Sequence, residues 1–280
     1  MTVRFRVSQR AIEEALARCG TRVVAVGPGR WHLGNAERGA IRVQWDEPWL
    51  AFETAANGAS PHGTGDEWHL LRGQGSLPAA VRYAMPPRGG LQIAGDVATD
   101  GGADLGTRCR DVVDGLVAAR AARPAPHVVT ADPAPEKARE LVEAIAWKLH
   151  ERPDGRLAGR LPGVERAWSA ELTGERGGLR LSVEIASMRT AGDTTRLALG
   201  EVLLKAGHLL RFARPGIDED GERCSVRFET RLRDDAAPAE LRHALAALAA
   251  ACDECAAEVR ALQHEEVAKS YLILVRGNAS

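Results

Sequence analysis

The stretch "LRLSVEIAS" constrains the fold most: Leu179, Leu181, Val183 and Ile185 alternate without a miss. A period of two puts those side chains on one side of an extended strand and everything between them on the other. The turn "GERGG" joins this strand to "RAWSAELT" just before it, which predicts an antiparallel hairpin. A chain containing such a strand must bury one face of a sheet. Here the cover is also visible, because strongly periodic helical segments stand on both sides in sequence.

The segment "PEKARELVEAIAWKLHE", 135–151, predicts an amphipathic helix with Leu141, Val142, Ile145 and Leu149 on its apolar face. "DTTRLALGEVLLKAG" predicts a second helix, with Asp or Thr at its cap and Gly207 at its end. "HLLRFAR" and "ERCSVRFETRL" read as another hairpin across "PGIDEDG", and a long helix spans about 238–262. "EEVAKSYLIL" reads as a short terminal helix.

The first part of the chain repeats this order. "VSQRAIEEALARC" predicts a helix capped by Ser8 and ended by Gly20, with Ile12, Leu16 and Cys19 on one face. "RVVAV", "WHLG", "AIRVQW" and "WLAFET" read as an antiparallel meander. "EWHLLRG" and "SLPAAVRYAM" suggest short helical pieces, "LQIAGDVA" a strand, and "ADLGTRCRDVVDGLVAARAA" a closing helix. Between the parts, residues 123–135 hold four prolines and no helical period. The expected class is therefore α+β: two related units, each an antiparallel sheet packed with helices in the order helix, strands, helix, strands, helix. The first unit spans 1–122, a Pro-rich linker 123–135, and the second unit 136–280.

At 280 residues and 45% hydrophobic, the chain can build a large core. Residues 1–130 carry 15 basic and 13 acidic side chains, the remainder 22 and 25. Neither part has the clustered basic face of a nucleic-acid binder, so no nucleic-acid partner is expected. No stretch has the apolar length of a membrane helix, and the first twenty residues lack a signal-peptide pattern. The expected location is the cytoplasm, with no membrane partner and with the five cysteines as thiols.

The Cys-x-x-Cys at 252–255 is the sharpest chemical motif. Leu241, Leu245, Leu248, Cys252, Cys255, Val259 and Leu262 follow steps of four and three, so both thiols fall in an apolar helical seam. A redox pair wants a helix N-terminus, and a zinc site wants two further ligands within reach. His243 and His264 lie too far along the helix to meet both thiols. The reading is packing, with no catalytic residue, no metal and no cofactor. The alternatives are a thiol- or metal-dependent enzyme using Cys252 and Cys255, and a sensor binding a small ligand between the units.

Other candidates are weaker. "GPGRWHLG" lacks both phosphate-loop and dinucleotide spacing and reads as a hairpin turn. His62, Asp66 and His69 cluster in and beside a loop, and the acidic run at 218–220 reads as a solvated turn. Two features suggest partner contacts. Trp45 and Trp49 flank a tight turn, where an aromatic on a sheet can serve recognition. Arg223, Arg227 and Arg231 share the charged face of one strand, opposite Cys224, Val226 and Phe228.

The order of elements from 135 to 262, carried by "ELVEAIAWKL", "LRLSVEIAS", "RLALGEVLLKAGHLLRFAR", "CSVRFETRL" and "ALAALAAACDECAAEV", resembles the type III secretion chaperone-like superfamily of bacteria. The resemblance implies small α+β units without catalysis or cofactor. Family members work as homodimers that hold an extended protein segment, so a tandem copy would be a pseudo-dimer within one chain. Secretion chaperones are acidic, whereas this chain carries a net charge of -1. The resulting expectation is a protein-binding module, chaperone-like or adaptor, that takes a partner segment on its sheet or at its edge.

Overall fold

The structure is a computed structural model that describes residues 7–35, 39–56, 66–78, 80–87, 90–100, 104–121, 132–175, 177–189 and 191–277. In the first half, α1 (Gln9–Ala17) precedes a four-strand meander of β1 (Arg22–Gly27), β2 (Arg30–Asn35), β3 (Gly39–Asp46) and β4 (Trp49–Ala55). Then come α2 (Asp66–Gly73), β5 (Val81–Ala84), β6 (Gln92–Ala98) and α3 (Leu105–Ala121). In the second half, α4 (Glu136–Ala144) precedes β7 (Leu149–Glu151), β8 (Leu157–Pro162), β9 (Ala167–Glu175) and β10 (Gly178–Arg189). Next are α5 (Asp193–Leu209), β11 (Arg214–Asp220), β12 (Arg223–Arg233), α6 (Pro238–Ala261) and α7 (Glu265–Gly277).

The first sheet runs β1-β2-β3-β4-β6-β5 and the second β7-β8-β9-β10-β12-β11. Strand for strand the two orders coincide, and all pairings are antiparallel. The α+β class and the two-unit architecture expected from the sequence are those of the molecule.

Alternation sets each buried face. Val43 pairs with Phe52 and Trp45 with Leu50 in the first sheet. Leu181 pairs with Leu172, and Val183 with Phe228, in the second. Ile12 and Leu16 of α1 and Val112, Val113 and Leu116 of α3 are buried in the core of the first half. Leu241, Leu248, Cys252 and Val259 of α6 do the same in the second. Ser8 caps α1 by accepting the Ala11 N–H at 3.2 Å, and Gly20 takes the positive φ of +68° that ends the turn after it.

The halves exchange contacts at their inner edges. Helix α2 packs on β11 and α5, and α5 packs on β5. The Met85 N–H donates to the Leu204 carbonyl at 2.9 Å, and the Trp68 indole N–H to Glu219 at 3.0 Å. Glycine permits this approach: a Cβ on Gly207 would stand 2.9 Å from the Tyr83 carbonyl oxygen. The buried apolar residues of both halves form one continuous core.

Three local expectations are corrected. The helix predicted over 135–151 stops at Ala144, because Ala146 turns to φ +55° and Leu149–Glu151 pairs with β8 instead. The helical piece expected in "SLPAAVRYAM" is strand β5, held by pairing with β6. The strand predicted at "HLLRFAR" lies one segment later. His208 and Leu209 end α5, Phe212 turns at φ +61° with its N–H on Asp96 at 2.8 Å, and "RPGIDED" forms β11. In each case long-range pairing overrides a local periodicity. Residues 123–131 of the Pro-rich linker, and His62, lie outside the described residues.

Candidate binding surface

Most helices of each half pack on one face of its sheet, and the other face carries polar side chains; on the first sheet α5 also reaches that polar face, where His208 stands 3.6 Å from Glu53. On the second sheet this face forms a trough of about 560 Å³ whose lining side chains are all polar. Arg180, Ser182 and Glu184 reach it from β10, Glu171 and Thr173 from β9, and Ser225 and Arg227 from β12. Arg152 and Arg156 close one side and both pair with Glu171, Arg156 at 3.1 Å.

At the inner end of this face sits Glu229, 1% exposed. Its carboxylate collects four guanidiniums from three strands: Arg180 Nε at 2.6 Å, Arg214 Nε at 2.7 Å, Arg227 Nε at 3.3 Å and Arg231 Nη2 at 3.8 Å. Burial alone would raise the carboxyl pKa; Arg214, Arg180, Arg227 and Arg231 outweigh it and hold Glu229 far below the usual carboxylate range. The cations pay in the opposite sense. Burial, with Arg180 and Arg214 nearby, brings Arg227 down to about 10 despite the attraction of Glu229.

The three arginines expected to share a partner-facing surface have different surroundings. Arg223 is 66% exposed and pairs with Glu184 at 3.2 Å and with Ser187 Oγ at 3.0 Å. Arg227 is mostly buried between Asp218 and Glu229. Arg231 ties the halves together: it pairs with Glu175 at 2.8 Å and donates to the carbonyls of Leu77, at 3.1 Å, and Gly75. The acidic run at 218–220 is strand rather than free turn. Asp218 holds Arg227, and Glu219 holds Trp68, Arg72 and Arg196.

The tryptophans belong to the first sheet and are half-buried. Trp45 packs against the core and donates its backbone N–H to Gly29 at 2.8 Å. Trp49 meets the other half, with its ring centroid 5.5 Å from Phe212 and 5.3 Å, edge-on, from His243. Replacing Trp49 therefore disturbs packing between the halves as well as any surface. The open face of the first sheet forms a smaller basin of about 300 Å³, lined by Arg30, His32, Arg42, Gln44, Glu53 and, from the second half, Arg211.

The sequence places Arg223, Arg227 and Arg231 on one strand face and singles out neither Arg180 nor Arg214. The available signal was the in-phase spacing of Arg180, Ser182 and Glu184 between the apolar residues of β10.

The Cys-x-x-Cys lies inside α6. Cys252 is fully buried and Cys255 is 7% exposed. Burial, reinforced by Glu258 and Glu254, pushes Cys255 up to about 12, and burial with Asp253 and Cys255 pushes Cys252 up as well. Protonated, enclosed thiols are poor nucleophiles and poor metal ligands. Among the described residues no three His, Cys, Asp or Glu side chains group so as to hold a metal ion. Between the halves, a cavity lined by Val97, Val112, Phe212 and Leu232 has a volume of about 60 Å³. That is room for one or two waters, at about 30 Å³ each, and too little for a metabolite. A wider, open cleft of about 590 Å³ also lies between the halves, lined by Pro78, Asp111, Gly115, Gly177, Arg233 and Asp235. No described helix is long and apolar enough to cross a membrane.

The chain matches no protein-family model, and no curated protein matches it.

Proposed function

We propose that this chain is a non-catalytic protein-binding module of chaperone-like or adaptor type, acting in the cytoplasm as a pseudo-dimer of two fused units. The observation that carries this reading is the repeated sheet with a polar face open over much of its extent: two sheets of identical strand order, each with most of its helices on the other side. Among the described residues each sheet also ends in an outer edge strand, β1 or β7, whose outer side pairs with no other strand and is open to another chain. Strand β1 adds the exposed Val24 and Val26 beside its edge. The element order that resembles type III secretion chaperone-like proteins supports the same reading. An extended partner segment would lie along a sheet face or add to an outer edge.

Site-specific photo-crosslinking tests it. Probes at Gln44 and Ser225 sit on the two open faces, and a probe at the exposed Glu254 sits on the helical back. The reading expects a discrete crosslinked protein from one or both face positions and none from Glu254. It is abandoned if the face probes capture nothing beyond the Glu254 background.

A further inference from the structure

We infer that the trough on the second sheet receives an acidic, extended peptide segment, with its carboxylates seated between Arg152, Arg156 and Arg180. This rests on the protein-binding reading and names the chemistry of the partner. Charge is the first argument. Five arginines and three carboxylates line the trough, although the chain as a whole has a net charge of -1. The basin on the first sheet repeats the bias, with three arginines and one carboxylate.

Donor supply is the second argument. Arg180 is buried, spends only its Nε on Glu229, and still lines the trough. Among the described residues no carboxylate meets its Nη atoms. Ser169, Thr173, Ser182 and Ser225 add hydroxyl donors to the same lining. A planar guanidinium whose Nη1/Nη2 edge remains open matches a carboxylate.

Spacing decides the class of ligand. Same-face side chains of an extended peptide recur about every 6.7 Å, and strands lie about 4.8 Å apart. Acidic residues at alternate positions can therefore interleave with Glu171, Glu184 and Asp218 while meeting the arginines between them. A nucleic-acid backbone carries charge without such gaps and gains from aromatic stacking, and among the described residues no aromatic side chain lines the trough. A small metabolite is disfavoured because such sites are mostly apolar.

The test uses the full chain and fluorescent peptides of about twelve residues, roughly 40 Å when extended. The peptides alternate Glu-Ser, Gln-Ser or Lys-Ser, with an oligothymidylate as the polyphosphate control. Anisotropy reports binding, and amide shifts at Ser182 and Ser225 report its place. The inference expects tightest binding of the Glu-Ser peptide, weakened by salt, with shifts at both serines. R152A/R156A, at side chains 36% and 33% exposed, should fold normally and bind that peptide about ten-fold more weakly. Equal affinity for Lys-Ser, tighter binding of oligothymidylate, shifts elsewhere, or an unchanged R152A/R156A each overturns it. If Gln-Ser binds at the serines and Glu-Ser does not, the acidic preference falls and the protein-binding reading stands. If no peptide binds and the face crosslinks are also absent, both fall.

Discussion

Arg82 of β5 donates from Nε to the carbonyl oxygen of Gly207 in α5, at 2.5 Å and across 125 residues of sequence. The same guanidinium reaches the Leu210 carbonyl at 2.6 Å and pairs with Asp96, whose carboxylate also accepts the Phe212 N–H. Arg231 returns the gesture from the second half to Gly75 and Leu77. Arg82, buried, and Arg231, partly buried, thus staple each half to backbone carbonyls of the other.

Arg82→Ala strands Asp96 in the interior and removes two carbonyl partners, so it should cost about 3–5 kcal/mol. Chemical denaturation of the native chain should show one cooperative transition followed equally by tryptophan fluorescence and far-UV circular dichroism. Residues 1–122 expressed alone should fail to give that transition, since α2 and β5 lose their cover. Two separable transitions would count against the interlock.

Glu229→Gln leaves four guanidiniums around a neutral amide and should cost about 3–5 kcal/mol. The pH dependence has a definite sign. The folded pKa of Glu229 lies below its ordinary value of 4.5, so the stabilisation is complete above 4.5 and is lost as pH falls through the folded pKa. The wild-type chain should lose stability progressively below pH 4.5, and the variant should lose less over that window. Urea midpoints measured across the acid range decide it.

Gly207→Ala should destabilise the protein by about 1–2 kcal/mol, although alanine is favoured over glycine in a helix by about 1 kcal/mol. The new methyl would press on a backbone oxygen that cannot rotate away. A rise in thermal midpoint would show that α5 and β5 are less tightly joined than the geometry indicates.

All five cysteines are free and buried. A thiol reagent at mild alkaline pH should react with none of them rapidly in the native protein and with all five after denaturation. Cys252→Val should keep the fold, at a cost below about 1.5 kcal/mol. A fast-reacting native thiol would return the Cys-x-x-Cys to consideration as a chemical centre.

Much of this was written in local pattern. The alternation from Leu179 to Ile185 specified β10, and the four-three steps from Leu241 to Leu262 specified α6 and the burial of its thiols. Short strands were not legible, because Leu149–Glu151 and Val81–Ala84 owe their form to partners far along the chain. The Glu229 cluster was only half visible. Arg227 and Arg231 share its strand, but Arg214 reaches it because β11 places that residue directly opposite, and Arg180 because β10 pairs Ser182 with Glu229. The polar phase of Arg180 within β10 is visible in the sequence, but the cross-strand register that brings it to Glu229 is not. In the sequence Trp49 borders only a turn, whereas Phe212 and His243, which cover it, come from the other half.

The coinciding strand orders of the two sheets carry an evolutionary consequence. In an assembly of two identical subunits, every substitution appears on both sides of the symmetry axis, so neither side can change alone. In the proposed pseudo-dimer, one continuous chain lifts that restraint. One surface here carries His32 and Gln44 where the other gathers Arg152, Arg180 and a row of serines. The chain is free to present two unlike surfaces on one shared core, and to refine either without disturbing its twin.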